Sequence, residues 1–448
     1  MHSDTLKTCL IHIGISRCGF NSYGTSQESG YISHGLGVLS AVAKAAGFDI
    51  SLIDLRRLKD WGALRKELKR LNPDVVGISS MTVDMDYVKR CVKECNRILP
   101  AARIIVGGAH PSIAPEEFEQ MSGVDCVVIG EGEVVFPQLL EAVKTCNPLP
   151  DRVNGVGTVT DLDTVPFVDR SIYPASEVPF HPSFPAPMVT IVAGRGCIYN
   201  CSFCQPAERL MFGSRVRRRS VENVIAELKT LRFNSLMIHD DCLTEDADWI
   251  NQFCEAYPAA GFTQPFICQS RADIIVKNPE MIRRLKDAGL KMLSIGFECG
   301  NDRVLKLLRK GVKVWQNYKA AQICHELGIM IDANYMFGLP SETVAEMEET
   351  VRMIHQIKAD INSIAWFTPH RGSDLYDYCV KNDLLLESGK KYGNARRNAF
   401  VPKIKGIDYR AVRSATWRAR GGWTLRQWAS DTPWVYKSYK WLIGVANI

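Results

Sequence analysis

Short apolar runs separated by amphipathic stretches divide the chain into two series. Over residues 1–150 the runs are KTCLIHIG, FDISLID, VVGISS, RIIVGG and VDCVVIG, rich in Ile and Val and of a length that suits buried strands. Between them, GVLSAVAKAAG and DMDYVKRCVKECNRIL place apolar residues at helical spacing and stop near Gly or Pro. This alternation predicts an α/β domain with an open, parallel, doubly wound, Rossmann-like sheet. Such sheets take ligands at the carboxyl ends of their strands.

Residues 151–186 break the rhythm. VPFVDRSIYPASEVPFHPSFPAP is proline-rich and aperiodic, and reads as a linker. A second series starts with MVTIVAG and continues through SLMIHD, FICQSR, MLSIGFE, IDANYMFG and INSIAWFT, with SVENVIAELKTLRF and NPEMIRRLKDAGL as intervening helices. Six such units predict a partial (β/α)6 barrel over 187–385, smaller than the usual eightfold one. Residues 386–448 are left as a small, mostly helical region, basic and Trp-rich.

Composition narrows the class. Hydrophobic residues make up 46% and charged residues 23%, as in a soluble globular chain, and 448 residues suffice for two or three domains. The net charge of +6 suits docking of an acidic electron donor or substrate, while the basic residues form no nucleic-acid-binding module. No run reaches the roughly 18 apolar residues of a membrane span. The N-terminus MHSDTLKTCLIHIG has no signal-peptide core, so the fifteen cysteines read as reduced thiols of a cytoplasmic protein.

The candidate chemistry begins at GRGCIYNCSFCQP, residues 194–206, where Cys197, Cys201 and Cys204 are spaced Cys-x3-Cys-x2-Cys. Structural zinc wants four closed ligands, and this loop offers three. A four-iron cluster on three cysteines keeps one iron open. The spacing favours the cluster; zinc completed by a distant Cys or His, or chance clustering, is the alternative.

With Phe203 before the last cysteine, the loop resembles that of the radical S-adenosylmethionine (SAM) superfamily. The resemblance implies a 4Fe-4S cluster whose open iron is chelated by SAM, which an electron cleaves to a 5′-deoxyadenosyl radical. It also implies SAM contacts along the later strands. SLMIHDDC offers Asp240 to the amine, although His239-Asp240-Asp241 departs from the frequent Gly-Gly-Glu. CQSRAD offers Ser270 and Arg271 to the carboxylate, SIGFECG offers Glu298 to ribose or amine, and YMFGLP supplies Gly338 and Pro340 to an adenine-binding turn. For each polar residue, a structural ion pair is the competing role.

The first 150 residues resemble the cobalamin-binding domain that precedes the barrel in one large subfamily, the class B radical SAM methyltransferases. GGAHPSIAPEEF carries Gly107, Gly108, His110 and Pro111, and VVIGEGEVVF carries Gly130, Glu131 and Gly132. Gly35 lies in SHGLG, and Ser80, Met81 and Thr82 lie in ISSMT. Glycines there let a flat corrin lie against backbone; a flavodoxin-like domain with turn-forming glycines is the alternative. His34 lacks the Asp of the cobalt-ligating Asp-x-His-x-x-Gly pattern and reads as a loop histidine near the corrin.

The resemblance runs from residue 8 to about 385. It implies a cobalamin-dependent radical SAM enzyme that methylates an unactivated carbon of a small molecule or lipid, through methylcobalamin and the 5′-deoxyadenosyl radical, at two SAM per turnover. A cyclase or rearrangement enzyme with the same cofactors is the alternative. RNA methylthiolation would bring an extra cysteine trio and an RNA-binding domain, and a cobalamin carrier or photosensor would not need the cysteine loop. Flavodoxin or ferredoxin is the expected electron donor, and Arg215-Val216-Arg217-Arg218-Arg219 either steers it, clamps an acidic substrate or forms a solvated turn. Cys242 and Cys299 read as small buried hydrophobes or cavity residues, and His370-Arg371 as candidate substrate contacts. The tail over 409–441 sets seven Lys or Arg against one Asp among five tryptophans, and reads as a cap, a peripheral membrane contact or a partner site.

Overall fold

A computed structural model describes residues 6–23, 31–173, 183–204, 207–213, 215–396 and 399–420. In the first part, β1 (Lys7–His12), β2 (Asp49–Asp54), β3 (Val75–Ser79), β4 (Arg103–Gly107), β5 (Cys126–Gly130) and β6 (Arg152–Gly155) form one sheet. Its order is β2-β1-β3-β4-β5-β6, and every pairing is parallel. Side chains alternate between the faces, so Cys9 and Ile11 enter one apolar core and Leu10 the other. The order reverses between β2 and β3 across β1, which opens a crevice at the carboxyl ends beside β1 and β3.

The boundary expected at 150 falls too early. β6 lies in the stretch read as linker, and its RVNG sequence escapes notice because an edge strand with two exposed residues needs no apolar run. The rest of that stretch, as far as Tyr173, is a packed strap. Asp169 accepts hydrogen bonds from Ser40 Oγ at 2.6 Å and Lys44 Nζ at 2.7 Å, and the Tyr173 hydroxyl donates to Ser33 O at 2.8 Å.

The second part holds β7 (Met188–Ile191), the two-residue strands β8 (Gly194–Arg195) and β9 (Arg217–Arg218), then β10 (Ser235–Ile238), β11 (Phe266–Ser270), β12 (Leu290–Glu298), β13 (Met330–Phe337) and β14 (Ile361–Trp366). The six longer strands form a parallel sheet in the sequential order β14-β13-β12-β11-β10-β7, the open partial barrel. β8 and β9 form a separate antiparallel ribbon beneath the cysteine loop.

Of the expected C-terminal cap, the helix Tyr409–Ala419 packs on the barrel's outer layer. It buries Val412, Ala415 and Ala419, and Thr416 Oγ1 accepts from Trp366 Nε1 at 2.9 Å. Trp417 is exposed; Trp423, Trp428, Trp434 and Trp441 lie outside the described residues. Among the described residues, no helix is long and apolar enough to cross a membrane.

Candidate active site

The crevice of the first sheet faces the second sheet, and the two enclose one cavity of about 450 Å³. From the first sheet come Leu10, Ile78, Ser79, Gly107, Gly108 and Gly130; from the barrel come Val192, Gly194, Arg195, His239 and Asp241, the strand ends that lead to Cys197 and Cys242. The strap closes one side with Leu162, Val165, Phe167 and Val168.

Gly35, Gly107, Gly108, Gly130, Glu131 and Gly132 therefore share one cavity. Gly35 has nothing within 4 Å of the position its Cβ would take, so a side chain there would project into open space. A Cβ at Gly77 would press on Leu10 in the cavity wall. Glycine-edged and mostly apolar, this surface fits a corrin and its tail. His34 also lines the cavity, with Nε2 2.8 Å from Thr190 Oγ1 on β7. Burial, aided by Arg170, lowers its pKa to about 3 and keeps the ring neutral.

Other residues expected at the corrin lie elsewhere. Ser80, just past the end of β3, is fully buried with its hydroxyl turned to Met85, and it is Ser79 that lines the cavity. Met81 points to solvent. Thr82 bonds His110 Nδ1 at 3.0 Å, and buried His110, followed by Pro111, packs edge-on against Phe118 and Tyr392. Glu131, though at the cavity wall, spends its carboxylate on Arg195 and Arg217.

Around the cysteine loop a second set converges. Arg271 places Nη1 3.8 Å from Cys201 Sγ, with its guanidinium 3.5 Å from the Tyr199 ring centre, and Asp273 accepts from Nε at 3.0 Å. Glu298 sits at an irregularity of β12 with φ +65°, and accepts from Lys310 Nζ at 2.8 Å. A Cβ at Gly296 would stand 2.4 Å from Glu298 Oε1 and 2.8 Å from Lys310 Nζ, so a side chain there would push this pair aside. Burial opposes the charge on Lys310, yet Glu298 and Cys201 outweigh it and raise its pKa. Its ammonium lies 5.9 Å from the Phe203 ring centre. Gly338, at φ +78°, donates its N–H to Glu342 Oε2 at 2.7 Å in the turn that Pro340 follows.

Two cations beside Cys201 suit a site that gathers thiolates and a carboxylate.

Asp240 does not join this set. It is buried, accepts from the Ala193 N–H at 2.7 Å and from Arg218 at 3.1 Å, and burial raises its pKa to about 6. Ser270 is paired with Thr244 Oγ1 at 2.7 Å. The arginine run is no solvated turn: Arg217 holds Glu131, Arg218 holds Asp240 and Glu245, and Arg219 holds Glu227. Arg371 pairs with Glu116 and Glu117 of the first domain. Cys242 and Cys299 are buried, and burial pushes the Cys242 thiol up to about 12. Lys310 and Tyr199 went unread in the sequence. Lys310 follows Glu298 by twelve residues in RKG, a basic residue before a glycine, and that is its only local signal.

Residues 25–140 match the model of the B12 binding domain, and residues 191–354 match that of the Radical SAM superfamily. The chain belongs to the cobalamin-binding radical SAM family. Its cofactors are thus a 4Fe-4S cluster, SAM and cobalamin, and the two matched segments meet at the cavity described above. Among relatives of this family, an uncharacterized methyltransferase of Pyrococcus horikoshii is 26% identical over 371 residues, covering 79% of each chain. An anaerobic magnesium-protoporphyrin IX monomethyl ester cyclase of Rubrivivax gelatinosus is 26% identical over 75% of this chain and 64% of its own. In fold, the chain is similar to the radical SAM methyltransferase TsrM of Kitasatospora setae, solved with tryptophan substrate and a SAM analog. The TM-score is 0.64 at 18% identity, covering 83% of this chain and 76% of that one.

Proposed function

We propose that this enzyme transfers a methyl group to an unactivated carbon of a small molecule or lipid in the cytoplasm, consuming two SAM per product. The observation that carries the reading is the single cavity walled by the glycine turns of the first sheet and by the strand ends leading to the cysteine loop. When bound, cobalamin supplies the methyl group, and the cluster with SAM supplies the radical that activates the carbon.

The chain's residues position and exclude. Gly35, Gly107, Gly108, Gly130 and Gly132 leave backbone free for the corrin face. Cys197, Cys201 and Cys204 hold the cluster. Arg271 and Lys310 take the carboxylate of SAM, Glu298 takes the amine or ribose, and the turn at Gly338–Pro340 seats the adenine, with Phe203 packed nearby. Phe167, Met211 and Phe212 give the cavity an apolar wall that keeps water from reactive intermediates. A flavodoxin or ferredoxin delivers the electron.

The test is isotopic. Reduced, cofactor-loaded enzyme is incubated with SAM bearing a deuterated methyl group and with separate small-molecule and lipid fractions of a cell extract. A product that gains the deuterated methyl supports the reading. A product altered without label would instead support ring formation or rearrangement, the reading favoured by the cyclase relative.

A further inference from the structure

The cysteine loop and the cavity share a wall of buried charge. Arg195 and Arg217 stand opposite each other on the β8–β9 ribbon, and Arg195 is two residues before Cys197. Both grip one carboxylate in the turn after β5: Arg195 donates to Glu131 Oε1 at 2.5 Å and Arg217 to Oε2 at 2.8 Å. Arg195 also reaches Glu133 Oε1 at 2.6 Å. The Glu131 side chain is 0% exposed and that of Arg195 only 16%.

Such a set is costly to bury, and hydrophobic packing of equal volume often gives equal or greater stability; what the forked pairs do supply is a fixed geometry. Glu131, Glu133 and Arg195 all line the cavity, and Gly130 and Gly132 flank Glu131. Only Gly196 separates Arg195 from Cys197. It has φ +94°, and a Cβ there would stand 3.2 Å from Arg215 O, so the joint is closely fitted.

We propose that Arg195 is a positioning residue that couples occupancy of the cavity to the placement of the cysteine loop. A ligand resting on the Gly130–Gly132 turn fixes Glu131 and Glu133, and these fix the guanidinium that stands at the base of Cys197. By reciprocity, a loop ordered by its cluster tightens the cavity for its ligand by the same factor. The inference rests on the cobalamin reading of the cavity.

The experiment measures binding without turnover. Hydroxocobalamin is titrated anaerobically, by its visible spectrum, into wild-type protein with and without a reconstituted cluster. The coupling predicts that the cluster tightens binding about tenfold, the usual size for linked sites. Arg195→Lys keeps the charge but loses the fork, and Glu133→Gln removes one pair while leaving Glu131 held. In both, the cluster should change the affinity by less than about twofold, far below the usual range of such couplings. An equal tenfold effect in Glu133→Gln and wild type overturns the proposal even if Arg195→Lys does not fold. So does equal wild-type affinity with and without the cluster, which leaves the cobalamin reading intact. Wild-type protein that binds no hydroxocobalamin in either state defeats that reading itself.

Discussion

The guanidinium of Arg271 stands 3.8 Å from the sulfur of Cys201, held there by Asp273 and by the face of Tyr199. A fixed cation at that point is placed to pair with the thiolate and, in the function proposed above, with the carboxylate of SAM. Arg271→Met should weaken SAM binding about 10- to 100-fold, as expected for loss of a charge-assisted hydrogen bond worth roughly 1.5–3 kcal/mol. Calorimetric titration of SAM into the reconstituted protein checks it, with iron content confirming that the cluster remains. Unchanged affinity would remove Arg271 from the SAM site.

Glu298 and Lys310 form a buried pair, each side chain 9% exposed. Removing one partner strands a charge and should cost about 3–5 kcal/mol of stability. The double variant Glu298→Gln/Lys310→Met should recover most of that in urea unfolding yet still bind SAM poorly. Recovery of both stability and SAM binding would make the pair purely structural.

These two sites show how far the sequence can be read. Buried strands such as VVGISS and RIIVGG declare themselves because parallel strands covered on both faces are continuously apolar. The cysteine spacing is equally legible, since its three thiols share one loop. The half-exposed RVNG of β6 carries no such pattern. Ion pairs are the main blind spot. Arg217, Arg218 and Arg219 read as a donor-steering patch, a clamp for an acidic substrate or a solvated turn, but Glu131, Asp240 and Glu227 find them across 8 to 86 residues of chain. The same reason hides the partners of Asp240, which Arg218 reaches across 22 residues of chain, and of Arg371, which pairs with Glu116 and Glu117 of the first domain.

Gly35 tests the cavity with little risk to folding. It lies in the helix His34–Ala45, where a Cβ meets nothing within 4 Å. Gly35→Ala should leave both folding and cobalamin retention unchanged. Gly35→Leu should fold equally well and hold cobalamin at least about tenfold more weakly, a loss of roughly 1.4 kcal/mol. Gel filtration followed by the visible spectrum reads the outcome. Wild-type retention by Gly35→Leu would place the corrin elsewhere.

Glu342 makes the turn at Gly338 sensitive to pH. Burial raises its pKa from 4.5 to about 7, despite hydrogen bonds donated by the Gly338 and Leu339 N–H groups. The folded state therefore binds this proton more tightly than the unfolded state. The stabilisation is complete below about pH 4.5 and is lost as the pH rises through about 7. Glu342→Gln keeps an acceptor for the two N–H groups and abolishes the titration. Its stability relative to wild type should rise between pH 5 and 8, by up to about 3 kcal/mol. Parallel unfolding midpoints across that range would contradict this.

The account stands or falls on whether both halves of the cavity act in one reaction. The most direct measurement loads the protein anaerobically with iron, sulfide and hydroxocobalamin, adds SAM and a low-potential reductant, and quantifies both nucleoside products by mass spectrometry. The account predicts S-adenosylhomocysteine and 5′-deoxyadenosine together, with 5′-deoxyadenosine abolished by Cys201→Ala. 5′-Deoxyadenosine alone, with cobalamin still bound, would contradict methyl transfer.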